Sequence, residues 1–326
     1  MEKEAKKSFF EAYFFIAVLL AVSFLTNQMQ SKGIGGWYIF APFAAGIISF
    51  VFQIFLSRRP LVELYSKGYP YRKLKPYGVI SAFLLFELVL AWGLYTKQIQ
   101  FLNKDLFLIT VVLTGVIAYY HSFVRMKISL RFLFLAIFVP LVAAGVALGM
   151  GSYFDILKFT VPAKPVGDAV FFNTIYWILF YIFLQMACEE PAFRGYLMQK
   201  LIARGEVYAI LFSSLVFSAW RFFFVFYSGA DIACILLASA GNFIMAVMFA
   251  LLFVKGRNLL VAAICHGIID GLYVSIFSLA GPPGIREYIN FLTPYSRTQL
   301  LAFWVSCLFI GLILLTFIPR KKLHAR

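Results

Sequence analysis

Charged residues are scarce in this chain. Only 13% of its 326 residues are Asp, Glu, Lys or Arg, whereas a soluble domain carries about 25%. This shortage excludes a soluble enzyme, a disordered chain and a coiled coil. The hydrophobic fraction of 63% and the mean hydropathy of +0.89 agree. The apolar residues form long runs instead of alternating, which argues against a membrane β-barrel. The sequence therefore predicts an all-α, polytopic transmembrane bundle.

Residue types that bind metals are also few. The four cysteines lie inside apolar runs without a CxxC pair, and the chain has three histidines. We expect neither disulfides nor a zinc site, because zinc usually takes four ligands that include His or Cys. No cofactor is expected. The net charge of +15 is assigned to loops that face an anionic leaflet, so we expect no nucleic-acid partner.

Apolar segments recur along the whole chain, and each is close to the length of about 20 residues that a membrane span needs. With the N-terminus inside, the inner loops and tails carry 21 Lys and Arg and the outer loops carry seven. This imbalance predicts an even number of spans and both termini in the cytoplasm. The ten predicted spans lie near 9–27, 36–57, 77–95, 106–121, 132–150, 169–188, 207–228, 231–254, 258–280 and 299–318.

Charge within the spans is unevenly distributed, and no loop is long enough for a soluble domain. Spans 1–5 are almost free of charged residues, whereas spans 6–9 are not. The sequence therefore predicts N-terminal transmembrane helices over 1–160 and a functional core over 161–285. A last span with a basic cytoplasmic tail follows over 286–326.

Acidic residues in the spans are candidates for function, because a charged group in hydrocarbon costs about 2.5–3.5 kcal/mol on insertion scales. Glu189 and Glu190 are adjacent, and Glu190 is four residues before Arg194. This spacing predicts a Glu190–Arg194 ion pair, with Glu189 pointing elsewhere as a candidate general base. The alternative is a helix end with a capping salt bridge and a snorkelling arginine. Glu87 is interpreted as a protonated or helix-bridging group, and Asn242 adds an uncharged polar group.

A second polar pair lies in span 9, where His266 and Asp270 are four residues apart. At this spacing both side chains share one helix face. They can form a hydrogen-bonded pair or stabilise an oxyanion, and the alternative is a polar contact between helices. Gly267 and Gly271 repeat at the same interval, which predicts close helix packing.

Arg221 lies within span 7, four residues after Phe217, and needs an acidic partner. We favour a role in charge neutralisation. The predicted spans place Glu189 near the cytoplasmic edge and Arg221 about 20 Å along its helix. The alternative is that span 6 continues through Leu201 with a kink at Pro191. This longer span places the acidic motif deeper in the bilayer.

Together these motifs resemble the CPBP family, also called Abi, which includes CAAX proteases, bacteriocin-processing enzymes and the Rce1-type prenyl endopeptidases. The resemblance covers about 165–280 and rests on the order and spacing of three motifs. One position departs from the pattern, because Arg221 stands where the family has a histidine. The matching residues are Glu189, Glu190, Arg194, Phe217, His266 and Asp270.

The resemblance implies an intramembrane glutamic-type endopeptidase that cleaves a membrane-associated peptide or protein. Glu189 is then the base, and His266 with Asp270 stabilises the oxyanion. The pair Glu190–Arg194, with Phe217 and Arg221, supports them, and no metal takes part. Since arginine cannot accept a proton, a catalytically degenerate relative that binds and scaffolds another membrane protein is the alternative. A transporter explains buried charge but not the motif order. The expected location is the plasma membrane of a prokaryote.

Overall fold

The structure is a computed structural model that describes eight stretches of the chain. Within them the chain is almost entirely helical. The described residues are 2–31, 37–52, 129–160, 167–227, 230–256, 258–277, 285–293 and 295–319. Their α-helices are α1 (Glu2–Ser31), α2 (Trp37–Phe52), α3 (Leu130–Tyr153), α4 (Gly167–Ala187), α5 (Met198–Leu201), α6 (Glu206–Tyr227), α7 (Ile232–Gly256), α8 (Leu259–Phe277) and α9 (Ser296–Phe317).

Shorter elements join these helices. A π-helix over Pro191–Leu197 lies between α4 and α5, and 3₁₀ turns cover Ile202–Arg204 and Ile285–Tyr288. Two strands, β1 (Leu157–Phe159) and β2 (Ile289–Phe291), pair antiparallel with Leu157 opposite Phe291. Both strands lie between predicted spans, so this small sheet is an addition to the predicted bundle.

The membrane bundle predicted from composition is confirmed, and the chain is an integral membrane protein. Seven helical segments among the described residues are long and apolar enough to cross a membrane. One of them runs over Val170–Leu201, which agrees with a sixth span that continues through Leu201. The predicted spans near 77–95 and 106–121, together with Glu87, lie outside the described residues. The count of ten spans and the side of the termini stay predictions, as do the boundaries near 160 and 285.

The chain divides into two compact units, and the first combines α1 and α2 with residues from Phe183 to Ala230. In this unit α1 packs against α2, α5 and α6. The ring of Phe15 lies 4.7 Å from that of Tyr196, which follows the acidic motif. Nζ of Lys200 lies 2.5 Å from Oε2 of Glu11. The N-terminal helix is therefore joined by apolar and ionic contacts to the segment that follows the acidic motif.

The second unit contains α3, the two strands, α4 as far as Ile182, and α7 to α9. Helix α9 packs on α3 and α7, and α8 packs on the same two helices. Lys255, in the last turn of α7, donates from Nζ to the carbonyl oxygens of Leu315, Thr316 and Ile318 at 2.6, 2.9 and 2.7 Å. These carbonyls end α9, where intrahelical donors run out, so one lysine caps that helix.

Candidate active site

The acidic motif lies where α4 changes into the π-helix. Glu189 and Glu190 precede Pro191, and every residue from Pro191 to Leu197 is buried. The N–H of Met198 bonds the carbonyl oxygen of Phe193, five residues earlier, as expected of a π-helix. Such turns occur frequently at functional sites. A proline at the start is consistent with this geometry, because it has no N–H to continue the α-helical ladder.

Both carboxylate oxygens of Glu189 accept hydrogen bonds from α6. Nε1 of Trp220 donates to Oε1 at 2.9 Å, and Nη2 of Arg221 donates to Oε2 at 2.6 Å. Glu189 is fully buried, whereas the side chain of Arg221 keeps 23% of its exposure. The separation in depth that the predicted spans implied for these residues is therefore wrong. The π-helix and α5 continue the sixth span beyond α4. As predicted, the guanidinium of Arg221 compensates the charge of the Glu189 carboxylate.

Glu190 forms the predicted pair with Arg194. Oε1 of Glu190 and Nη1 of Arg194 lie 3.1 Å apart, and both side chains are buried. The atoms are at ion-pair distance without the alignment of a hydrogen bond. The alternative of a snorkelling arginine is excluded in this structure, because a snorkelling head group reaches water and Arg194 is 1% exposed.

Phe217 contacts both arginines of the site. Its ring centroid lies 4.9 Å from the guanidinium carbon of Arg194 and 5.4 Å from that of Arg221. A ring face attracts a cation, and the attraction is stronger where water is excluded. The ring is 1% exposed. The spacing of four between Phe217 and Arg221 therefore places an aromatic ring against two charges that are paired with acids.

Two further residues contribute to the surroundings of Glu189 and were not found from the sequence. They are Trp220, which bonds the carboxylate, and Ser23 of α1, whose Oγ donates to the carbonyl oxygen of Trp220 at 2.7 Å. Asn27 donates from Nδ2 to the carbonyl oxygen of Ser23 at 2.7 Å. The signal for them in the sequence is the pair Ser23 and Asn27, two polar residues one turn apart in an otherwise apolar stretch of α1.

His266 and Asp270 are in contact along one face of α8, as their spacing predicts. Nε2 of His266 lies 3.3 Å from Oδ2 of Asp270. The imidazole is buried and stacks on the ring of Phe249 in α7, with centroids 4.4 Å apart. Stacking and the carboxylate together fix the orientation of the ring. A histidine held in this way can present a hydrogen-bond donor to a developing oxyanion. Asn242 lies half-buried in α7.

The two glycines beside His266 pack as closely as predicted. A Cβ at Gly267 meets the backbone N and Cα of Ile182, and one at Gly271 comes within 2.6 Å of Cα of Ile178. Real Cβ atoms do not approach backbone this closely. The backbones of α8 and α4 therefore lie in contact at these positions, as in small-residue helix interfaces of membrane proteins.

Comparison with known protein families finds a match to the middle of the chain. Residues 171–272 match a family model whose description is "Type II CAAX prenyl endopeptidase Rce1-like". No curated protein matches the chain. The matched range includes all three predicted motifs, from the acidic pair to Asp270. The core of this chain is therefore Rce1-like over residues 171–272, which is about a third of its length.

Proposed function

We propose that the chain is an intramembrane endopeptidase of the glutamic type, and that it cleaves a membrane-associated peptide or protein. One observation carries the proposal. Glu189 lies in the family's first motif as a fully buried carboxylate, with one donor on each oxygen. A buried acid held in one geometry is suited to act as a general base toward a water molecule.

Glu189 takes a proton from water in the proposed reaction. The water oxygen then attacks the carbonyl carbon of the scissile peptide bond, and the carbonyl oxygen becomes an oxyanion. When the C–N bond breaks, the proton held by Glu189 passes to the leaving nitrogen. The products are a carboxylic acid and an amine. The proposal assigns a metal no step, since the core offers a single histidine besides its carboxylates.

Arg221 has a supporting role in this proposal. Its guanidinium stays charged and cannot accept a proton, so it does not replace the family's histidine as a base. It balances the charge of Glu189 in a medium where an unpaired carboxylate is costly. An ionised carboxylate can accept about four hydrogen bonds, so the donors from Trp220 and Arg221 do not by themselves prevent Glu189 from accepting one from water.

For His266 and Asp270 we propose stabilisation of the oxyanion. His266 donates a hydrogen bond to the oxygen, and Asp270 orients the ring. The family match over residues 171–272 contains both this pair and Glu189, which supports assigning them to one reaction. The plasma membrane of a prokaryote is the proposed location, with no nucleic-acid partner.

The test is proteolysis by the full chain in proteoliposomes. Membrane fractions from a deletion strain supply the substrates, and mass spectrometry identifies new peptide termini. Glu189→Gln keeps the shape and loses the base, so new termini should form at least about 10²-fold more slowly. His266→Ala should reduce kcat more than it raises KM. The double variant should be little worse than Glu189→Gln alone, because residues that act as a unit are non-additive.

Complementation of the same deletion strain separates the two functions considered from the sequence. Glu189→Gln at normal membrane abundance should fail to restore the phenotype. Full restoration rejects proteolysis and leaves a scaffold. Arg221→His is informative beside it, because it restores the family's second motif. A gain in cleavage by this variant means that Arg221 has weakened the site.

A further inference from the structure

A small cavity lies in the second unit, between the end of α8 and the beginning of α9. Its volume is about 300 Å³. Residues from four elements line it: α8, the 3₁₀ turn Ile285–Tyr288, β2 and α9. Among its lining residues are Phe277, Arg286, Glu287, Ile289, Phe291 and Arg297.

The charges of this cavity favour an anion. Two arginines face one glutamate, so the lining carries one net positive charge. Nε of Arg286 lies 3.1 Å from Oε1 of Glu287, and the Arg286 side chain is 15% exposed. The Arg297 guanidinium lies 5.4 Å from the centroid of Phe291. Guanidinium groups present a planar fork of donors that fits the oxygens of a phosphate.

The rest of the lining is apolar, with aromatic and branched side chains from α8 and β2. An inorganic ion makes no favourable contact with such a surface, whereas an amphiphile packs its hydrocarbon part against it. The cavity therefore fits a ligand that joins an anionic group to an apolar part.

The position of the cavity identifies the source of such a ligand. Helices α8 and α9 are both membrane-span candidates, and the cavity lies where one ends and the other begins. Tyr295 and Phe159, on the neighbouring elements, are 72% and 56% exposed. An exposed tyrosine at the end of a span is typical of the membrane–water interface, where phospholipid head groups lie.

We propose that this cavity binds the phosphate of an anionic phospholipid. Arg286 and Arg297 bind the phosphate oxygens, and Phe277, Ile289 and Phe291 contact the start of the acyl region. Glu287 opposes the anion and pairs with Arg286 when the lipid is absent. Nothing in this proposal depends on proteolysis by the chain.

The experiment measures lipid binding to the purified full chain in neutral detergent by native mass spectrometry, with thermal unfolding as a second readout. Phosphatidylglycerol, phosphatidylcholine and inorganic phosphate are compared. We expect phosphatidylglycerol to remain bound and to raise the melting temperature more than the other two. Arg297→Gln and Arg286→Gln should each weaken binding about tenfold, as expected for a lost bond to a charged group. Glu287→Gln should bind the lipid as tightly as the unchanged chain or more tightly.

Lys158→Gln is the matched control. Lys158 pairs with Asn290 across the small sheet. Because side chains alternate along a strand, it lies on the face opposite to Ile289 and Phe291. Its loss removes one positive charge from the same end of the unit and should leave binding unchanged. If Arg297→Gln does not fold, Arg297→Lys keeps the charge and loses the fork, and its weaker binding carries the same test.

Three outcomes overturn the proposal. The first is an equal effect of Lys158→Gln and the arginine variants, which means general charge attraction. The second is stabilisation by inorganic phosphate equal to that by the lipid, which means a site for the free ion. The third is weaker lipid binding by Glu287→Gln, because the acid is then part of the lipid site rather than opposed to the anion.

Discussion

Nε1 of Trp220 donates a hydrogen bond of 2.9 Å to the Oε1 atom of Glu189. The next residue along α6, Arg221, bonds the other oxygen of the same carboxylate. One helix turn thus supplies both donors, and Ser23 of α1 bonds the backbone of that turn. The geometry of the acid therefore depends on an N-terminal helix that lies outside the matched family range.

Replacing Trp220 by Phe removes the indole N–H donor and keeps an aromatic ring at this position. Trp220→Phe should lower the free energy of unfolding by about 1.5–3 kcal/mol, because a buried bond to a charged acceptor is lost. Trp304→Phe is the control, since Trp304 is 3% exposed and its Nε1 has no hydrogen-bond partner among the described residues. It should change stability by less than half as much. Thermal and denaturant unfolding in detergent compare the two variants, and equal losses contradict the prediction.

Loss of Arg221 should leave Glu189 as an uncompensated buried charge. We expect Arg221→Gln to destabilise the protein by about 3 kcal/mol, at the lower end of the range for broken buried pairs because the arginine is partly exposed. Adding Glu189→Gln should recover part of the loss, since the second change removes the unpaired charge. A double-variant cycle on unfolding free energies measures the recovery. Strictly additive losses would show that the two side chains do not interact.

The Glu190–Arg194 pair is more deeply buried. Glu190→Gln should cost about 3–5 kcal/mol, because Arg194 then remains charged away from water. Glu287→Gln breaks a pair whose glutamate is 38% exposed, and exposed pairs contribute about 0–1 kcal/mol. Melting temperatures of the two variants in the same detergent provide the measurement. Equal melting temperatures mean that Glu190 is solvated in the membrane protein.

Backbone contact at α8 makes Gly267 intolerant of a methyl group. Gly267→Ala should lower the free energy of unfolding by about 1–3 kcal/mol or more. The new Cβ meets the backbone of Ile182, and no side-chain rotation can relieve this clash. Gly145 in α3 has nothing within 4 Å of the corresponding position. Gly145→Ala should be neutral or slightly stabilising, since alanine is the better helix former. A Gly267→Ala variant as stable as Gly145→Ala contradicts the close packing.

The predicted topology can be tested by accessibility. The imbalance of 21 to seven basic residues places both termini in the cytoplasm. Tags at either end should therefore be labelled only after the inner face of the membrane is exposed. If the N-terminal tag stays unlabelled, labelling of a C-terminal tag in intact cells requires an odd number of spans and contradicts the ten-span map.

Local spacing explains which parts of the site could be predicted. Glu190 with Arg194, and His266 with Asp270, are pairs at i and i+4 that any helix brings together. The packing of Gly267 follows from the absence of a side chain. These features require no knowledge of the rest of the fold. Membrane insertion likewise follows from composition alone.

Contacts between distant segments could not be read in the same way. Ser23 and Trp220 are 197 residues apart. The spacing of Ser23 and Asn27 marks one face of α1, but it does not show which distant helix that face meets. The distance assigned to Glu189 and Arg221 was wrong for a related reason. Hydropathy ended the span near 188, but buried Leu197 and Leu201 continue it through the π-helix. The sheet of β1 and β2 pairs segments too short for any alternating pattern.

The π-helix between the acids and Met198 has a consequence for the length of the chain at this point. A π-helix takes more residues per turn than an α-helix, so this stretch carries a surplus that the flanking α-helices lack. Deleting a single residue between Pro191 and Leu197 allows an ordinary helix to form there. The helix beyond the deletion can then keep nearly its orientation, because only the surplus residue is lost, but the change of turn type moves the side chains of the stretch relative to Glu189 and Glu190. The site can exchange similar side chains far more readily than it can gain or lose one residue, so chain length here is itself a determinant of the geometry.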